Sequence, residues 1–174
     1  MNKRIIITGT SCTGKTTLGK NLAEELSITQ IDLDDLHFLP NWVEKENNLF
    51  IKEVNEAVDV LEDWIVSGSY QTVLKDTLWE KASVIVWLDY PLNLILRRCC
   101  IRTFRRVFYK EMCCGENYET LNRMLFIENM FVWIFKTYWK RKKRLESWRN
   151  GMFAHKKWIV LSSPKEEHKL RSLL

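Results

Sequence analysis

The stretch Gly9-Thr10-Ser11-Cys12-Thr13-Gly14-Lys15-Thr16 decides how this chain is read. It satisfies the spacing G-x-x-x-x-G-K-[S/T], and its flanks supply the context that the spacing needs. Before it, Ile5-Ile6-Ile7 is an apolar β-branched run suited to a buried parallel strand. After it, Leu18, Leu22 and Leu26 fall on one face of a helix over Lys15–Leu26. In a strand–loop–helix of this kind, backbone N–H groups turn inward around phosphates and the helix N-terminus adds partial positive charge. Gly9, Ser11, Cys12, Thr13, Gly14, Lys15, Thr16 and Thr17 are therefore the candidate contacts to a nucleoside triphosphate. Lys15 is the mobile cation of that set, with a catalytic role, and the Thr16 hydroxyl is placed to ligate Mg²⁺.

The 174 residues suit a single domain over residues 1–174, too short to hold a second enzyme beside a phosphate-binding domain. Hydrophobic residues at 46% and charged residues at 28% place it among ordinary globular chains. The eight tryptophans are scattered, which argues for packing in core and cleft rather than one stacking platform. Net charge is +5, concentrated in Arg97–Lys110 and Lys136–Arg149, and suits anionic partners, nucleotide phosphates as well as nucleic acid. Met1-Asn2-Lys3-Arg4 leads directly into the first strand, without a signal peptide. The apolar stretch Met124–Trp139 contains Glu128, Asn129 and Lys136, too short and polar to span a bilayer. Five cysteines, with two adjacent pairs, fit reduced thiols and a cytoplasmic protein.

Patterning predicts strands near Arg4–Thr8, Thr29–Leu33, Trp64–Ser67, Ser83–Leu88 and Trp158–Leu161. Helices are expected at Lys15–Leu26, Glu46–Leu61, Thr72–Trp79, Pro91–Phe108, Tyr118–Arg149 (with room for a break) and Pro164–Leu174. Pro91 and Pro164 read as first helical residues. Short apolar strands alternating with helices give a three-layer α/β/α fold, its five-stranded parallel sheet carrying ligands at the strand C-terminal ends.

Every polar cluster falls at such an end. Strand alternation would put Asp32 and Asp34 on one side, facing the phosphate loop. One carboxylate could hold Mg²⁺, with Asp32 and Thr16 as the candidate metal pair; the other, Asp34, could orient or deprotonate an acceptor hydroxyl. The bland reading has Asp34 or Asp35 capping the next helical turn. His37 reads more simply as a packed histidine than as a catalyst, although it borders the acceptor region with Trp42. Gly68, after a buried strand, allows close backbone approach, and Ser69 and Tyr70 could line an acceptor pocket or simply form a turn.

Arg98, Arg102, Arg105 and Arg106 share one helical face, and arginines closing over a transferring phosphoryl group are a recurrent solution. A solvated basic face is the plainer alternative. Asp89 is either a second carboxylate of the nucleotide site or a cap before Pro91. Adjacent cysteines diverge on a helix and chelate zinc poorly, so Cys99-Cys100 and Cys113-Cys114 do not read as a metal site. Cys12 at a helix N-terminus has a lowered thiol pKa and is open to oxidation. The run Lys140–Arg144 is a solvated face, or it gives Arg141 or Arg144 a second phosphate contact.

Taken together the chain resembles the small P-loop kinases related to adenylate kinase, most closely the DNA topology modulation (FlaR-related) group. The resemblance is carried by the phosphate loop, Leu33-Asp34 with Pro40-x-Trp42, Gly68-x-Tyr70, and Val86-Trp87-Leu88-Asp89-x-Pro91. It continues through the arginine-rich helix, Gly115-Glu116-Asn117 before a long aromatic helix, and the closing Leu161-Ser-Ser-Pro-x-Glu166. It implies that Arg98 lies near the adenosine end of ATP, that Arg102 contacts its phosphates, and that backbone around Ser162, Ser163 and Pro164 borders adenine. It implies too that Asp34 is the acceptor-side aspartate and that a lid spans about 99–118. One departure stands out: such kinases carry Asp before the glycine that ends the third strand, and here Ser67 occupies that place. Thr16 and Asp32 then hold Mg²⁺ in the manner of shikimate-kinase-like sites, or catalysis is weakened.

The reading that follows is an ATP- and Mg²⁺-dependent phosphotransferase acting on a small acceptor, with Lys15, Asp34, Arg102 and Arg106 as catalytic residues, in a monomer or homodimer. Its alternative is a nucleotide-binding regulator that contacts nucleic acid through the basic helices, with little transfer activity. A mechanical NTPase is disfavoured because nothing remains of the chain to couple to.

Overall fold

In a computed structural model, residues 2–115, 117–120 and 130–174 are described. Ile5 and Ile7 of β1 (Arg4–Gly9) face one side of the sheet and Ile6 the other, and all three are buried. That is the mark of a central parallel strand. The chain continues through α1 (Lys15–Leu26) and β2 (Thr29–Asp32). One helical turn, α2 (Leu33–His37), leads to β3 (Phe38–Leu39), a 3₁₀ turn at Pro40–Trp42, and β4 (Val43–Glu44). Helix α3 (Asn47–Asp59), β5 (Trp64–Ser67), a π-type turn at Lys75–Trp79 and β6 (Val84–Leu88) follow. Next come α4 (Leu92–Phe108), the two-residue strands β7 (Met112–Cys113) and β8 (Asn117–Tyr118), α5 (Met130–Asn150) and β9 (Lys157–Leu161). A 3₁₀ segment at Pro164–Lys169 and α6 (Leu170–Leu173) close it.

Five strands form one parallel sheet in the order β2-β5-β1-β6-β9, as the alternating pattern predicts. Residues from α1 (Leu18, Leu22), α4 (Ile95, Cys99) and Ile134 of α5 pack on one face with Ile5, Ile7 and Val86. Phe50, Val54 and Val58 of α3, the 75–79 turn and Leu145 of α5 cover the other with Ile6, Trp64 and Trp87. Trp79, Trp148, Trp158 and Phe153 pack edge to face and tilted at one end of that layer, as favoured for aromatic rings.

Several boundaries differ from expectation. Asp34 lies on α2 and not on a strand: β2 ends at Asp32, whose carboxylate accepts the Asp34 N–H at 3.1 Å and starts the helical turn. The capping residue is thus Asp32 rather than Asp34 or Asp35. The helix expected at Thr72–Trp79 contracts to the turn 75–79, and that expected at Pro164–Leu174 splits into a 3₁₀ segment and a short helix. Pro91 stands one residue before α4. Of the long helix expected from Tyr118, residues 130–150 are helical, and 121–129, with Glu116, lie outside the described residues. No helix among the described residues is long and apolar enough to cross a membrane.

Candidate active site

The loop from Gly9 to Thr16 wraps at the C-terminal end of β1. Thr13 Oγ1 donates to the Thr10 carbonyl at 2.8 Å, and Lys15 Nζ donates to the same oxygen at 3.1 Å. Gly14, with φ +96, caps α1 in the left-handed region that favours glycine. No side chain caps the helix, so its first N–H groups stay directed at the loop's concavity. Withdrawal from water pushes Lys15 down to about 8, with Asp34 pulling it back up and Arg141 adding to the decrease.

The turn after β5 buttresses this loop from behind. Ser69 Oγ donates to the Gly9 carbonyl at 2.6 Å and Gln71 Nε2 to Thr8 Oγ1 at 3.0 Å. Gln71 was not among the sequence-derived candidates, since an isolated Gln carries no motif signal. Gly68 lets α2 pack close on this turn: a Cβ there would stand 2.6 Å from Leu33 Cδ1. Ser67, in register with Asp32, is buried and accepts from Gln30 Nε2 at 2.9 Å.

Across the loop lies the acceptor side. Tyr70 donates its hydroxyl to Asp34 Oδ1 at 2.8 Å. Burial and the Asp34 carboxylate keep that phenol neutral far above the usual range. His37 is buried, packs edge-on against Phe50 at 4.8 Å and tilted on Tyr70 at 4.6 Å, and burial lowers its pKa. The packed reading suits it, although it also borders the cleft. Burial raises Asp32, while a hydrogen bond from the Thr16 hydroxyl acts against that shift. Thr16 and Asp32 are therefore neighbours, and two hard oxygen donors fit Mg²⁺.

Helix α4 runs over the phosphate loop. Arg98 donates to the Thr13 carbonyl and lies 5.4 Å from the Tyr90 ring centre. Arg106 donates to Glu119 Oε1 at 2.6 Å, and Arg102 lies 3.8 Å from the same oxygen. Arg105, more exposed, pairs with Glu111 at 2.7 Å at the edge of the cleft. Asp89 takes neither expected part; it accepts from Lys142 Nζ at 2.7 Å.

The β7–β8 hairpin is tied to the acceptor side by Asn117. Its Oδ1 accepts from Trp42 N at 2.8 Å, and its Nδ2 donates to Leu39 O and Cys114 O at 3.0 and 2.6 Å. Trp42 Nε1 donates in turn to Tyr118 O at 3.1 Å.

These elements enclose one cleft of about 1320 Å³, above the range common for single-ligand pockets. Ser11, Cys12, Gly14, Lys15, Thr16, Thr17, Asp34, His37, Trp42, Tyr70, Arg98, Arg102 and Arg106 all line it. Gly9, Thr13, Asp32 and Gly68 stand behind that lining, and Ser163 is not part of it, though Glu167 from the same segment is. Arg141 and Arg144 of α5 also line it, Arg144 donating to Thr72 Oγ1 beyond the β5 turn and Arg141 within reach of the Lys15 and Asp34 charges.

A doubly covered parallel sheet with a phosphate loop at the end of its central strand defines a P-loop, kinase-like domain. The AAA domain family model matches residues 5–173, and the chain belongs to that family. The uncharacterized protein YqaC of Bacillus subtilis (strain 168) is 30% identical over 120 residues, 68% of this chain and 67% of that protein. A shikimate kinase of Sulfurihydrogenibium sp. (strain YO3AOP1) is 30% identical over 109 residues, 55% of this chain and 66% of that enzyme. Among solved structures, a gluconokinase from Sinorhizobium meliloti 1021 superposes with TM-score 0.58 at 18% identity, covering 99% of this chain and 89% of its own. A shikimate kinase from Bacteroides thetaiotaomicron gives TM-score 0.58 at 16% identity, covering 98% and 97%. The likeness to these two structures is one of fold.

Proposed function

We propose that the protein transfers the γ-phosphoryl group of ATP to a hydroxyl of a small acceptor. The observation that carries this reading is the pairing of Lys15 and Asp34 across one cleft, the carboxylate held by Tyr70 and electrostatically coupled to the lysine. Asp34 orients the acceptor hydroxyl and takes its proton; Lys15, Arg102 and Arg106 stabilise the charge that spreads over the transferring oxygens. The loop amides and Lys15 hold the triphosphate, Arg98 steadies the loop at Thr13, and the segment after β9, which reaches the cleft at Glu167 rather than at Ser163, borders the adenine. Thr16 and Asp32 would hold Mg²⁺, which would supply charge neutralisation to the phosphate oxygens. Trp42, His37, Gly68 and Tyr70 bound the acceptor. The motif series supports a place in the FlaR-related group, and five free cysteines support a reducing, cytoplasmic setting.

The relatives named as shikimate kinase and gluconokinase support a hydroxyl acceptor rather than water. The test is coupled ADP release over a panel of nucleotides, polyols and hydroxy acids. Acceptor-stimulated turnover is expected; ATP binding with no stimulation by any acceptor would overturn the proposal.

A further inference from the structure

Two of the five free cysteines meet where α4 crosses the phosphate loop. Cys12 belongs to the loop and lines the cleft. Cys99 is fully buried on the inner face of α4, along with Ile95 and Thr103. The two thiols are hydrogen-bonded, Cys99 donating to Cys12. The neighbouring residue grips the loop as well: Arg98 donates to the Thr13 carbonyl, and a Cβ added at Gly14 would stand 3.1 Å from its Nη1. The thiol contact is thus one part of a packed interface between helix and loop.

The two groups differ as a redox pair requires. The Cys99 hydrogen bond favours the Cys12 thiolate, burial opposes it, and Arg102 and Lys15 add to it. Donation to Cys12, together with burial, keeps Cys99 a thiol. Sealed from solvent, Cys99 meets an oxidant only through Cys12. The remaining cysteines are less well placed. Cys113 and Cys114 are hydrogen-bonded to each other, but adjacent Cα atoms stand about 3.8 Å apart, short of the roughly 4.4–6.8 Å that a disulfide spans. Cys100 is exposed.

We propose that Cys12 and Cys99 form a modification site for a hydroperoxide, and that their disulfide draws the phosphate loop onto α4 and weakens nucleotide binding. The Cys12 thiolate attacks one peroxide oxygen and the O–O bond breaks. The departing oxygen takes up the proton that the thiol had released, and Cys12 is left as the sulfenic acid. The Cys99 sulfur then attacks the Cys12 sulfur, the S–O bond breaks, and hydroxide leaves with the Cys99 proton as water. Two electrons pass from the sulfurs to the peroxide, so one hydrogen peroxide yields one disulfide and two waters. An S–S bond is about 2.0 Å long, shorter than the contact between hydrogen-bonded thiols, so loop and helix must close on each other. The loop amides then leave the arc that fits a triphosphate, and a displacement of about 1 Å is costly in such a site. Only this consequence rests on the nucleotide reading of the loop; the bridge itself is read without nucleotide.

The experiment treats reduced protein with hydrogen peroxide, blocks the remaining thiols with N-ethylmaleimide in denaturant, and maps linked peptides by mass spectrometry. Three of the five thiols should remain, with Cys12 joined to Cys99. The link should persist in Cys100→Ser and vanish in Cys99→Ala, where dimedone should capture the Cys12 sulfenic acid. Calorimetry with Mg²⁺ and the non-hydrolysable ATP analogue AMP-PNP should show binding at least about tenfold weaker in the oxidised parent, restored by dithiothreitol. Reduced Cys99→Ala should bind AMP-PNP within about threefold of the reduced parent, which also shows that it is folded. If that variant does not fold, the parent and Cys100→Ser decide the matter alone. Absence of the bridge, whether Cys12 oxidises singly or not at all, would overturn the proposal. A link from Cys12 to Cys100, Cys113 or Cys114 would do the same, as would a bridged protein of unchanged AMP-PNP affinity. If the reduced parent fails to bind AMP-PNP, the phosphotransferase reading falls instead, and peptide mapping by itself decides the bridge.

Discussion

The Tyr70 hydroxyl donates to Asp34 Oδ1 at 2.8 Å, so the turn after β5 aims the carboxylate that α2 supplies. A carboxylate with one oxygen engaged keeps the other for an acceptor hydroxyl. Asp34→Asn is expected to lower kcat by about 10²–10⁴-fold, the usual worth of a general base. Tyr70→Phe removes one hydrogen bond and should cost about tenfold. Coupled ADP release with the KM for ATP measured alongside checks both; a collapse of ATP binding in either variant would contradict the assignment.

Lys15 offers a proton-linked signature. Its pKa is lowered from 10.5 to about 8 by burial, and an arriving triphosphate restores the charged form. Nucleotide binding at about pH 8.5 should therefore take up a proton, and at about pH 6.5 none. Calorimetry in buffers of different ionisation enthalpy measures this, and Lys15→Ala should abolish it. In the free protein the unfolded chain binds more protons between about 8 and 10.5, so this group's unfavourable contribution to stability is fully present below that window and relieved as pH rises through it.

Cys12 should be the reactive thiol. A hydrogen bond from Cys99 lowers its pKa to about 7, helped by Arg102 and Lys15 against burial. Iodoacetamide labelling followed by mass spectrometry should show a rate that rises through pH 7 and falls about tenfold or more with nucleotide bound. Cys99, fully buried, should stay unmodified.

Asn117 joins four backbone groups from two hairpins, Trp42 N, Leu39 O, Cys114 O and, at 3.4 Å, Gly115 O, and is 3% exposed. Asn117→Ala leaves those groups unpaired and should cost about 1–3 kcal/mol of stability. Thermal unfolding measures the loss, and hydrogen exchange should localise it to Trp42 and the β7–β8 pair.

The sheet was legible because its strands are short, apolar and bounded by turn residues, and because one glycine-rich loop sets the chain's direction at β1. Helix boundaries at Lys15 and Phe108 follow from periodicity and capping. Asp34 was found for its residue type and place, while its local structure was misread: alternation continues a strand, but an Asp32 carboxylate that accepts the Asp34 N–H starts a helix there instead. Arg141 stood out only as one of five consecutive basic residues, Lys140–Arg144, because burial of a single member is a property of packing. Gln71 and Asn117 were invisible as buttress and staple, since their partners are 63 and 75 to 78 residues distant.

The placement of the indoles gives the molecule an optical readout. Trp64, Trp79 and Trp87 are buried and Trp148 and Trp158 half-buried in the layer that includes α3, Trp139 is exposed on α5, and Trp42 and Trp133 line the cleft. Fluorescence from the other six forms a background, and quenching or spectral shift on titration reports from the two at the rim. Occupancy can thus be followed in unlabelled protein, by replacing Trp42 and Trp133 with Phe one at a time to learn which wall each ligand approaches.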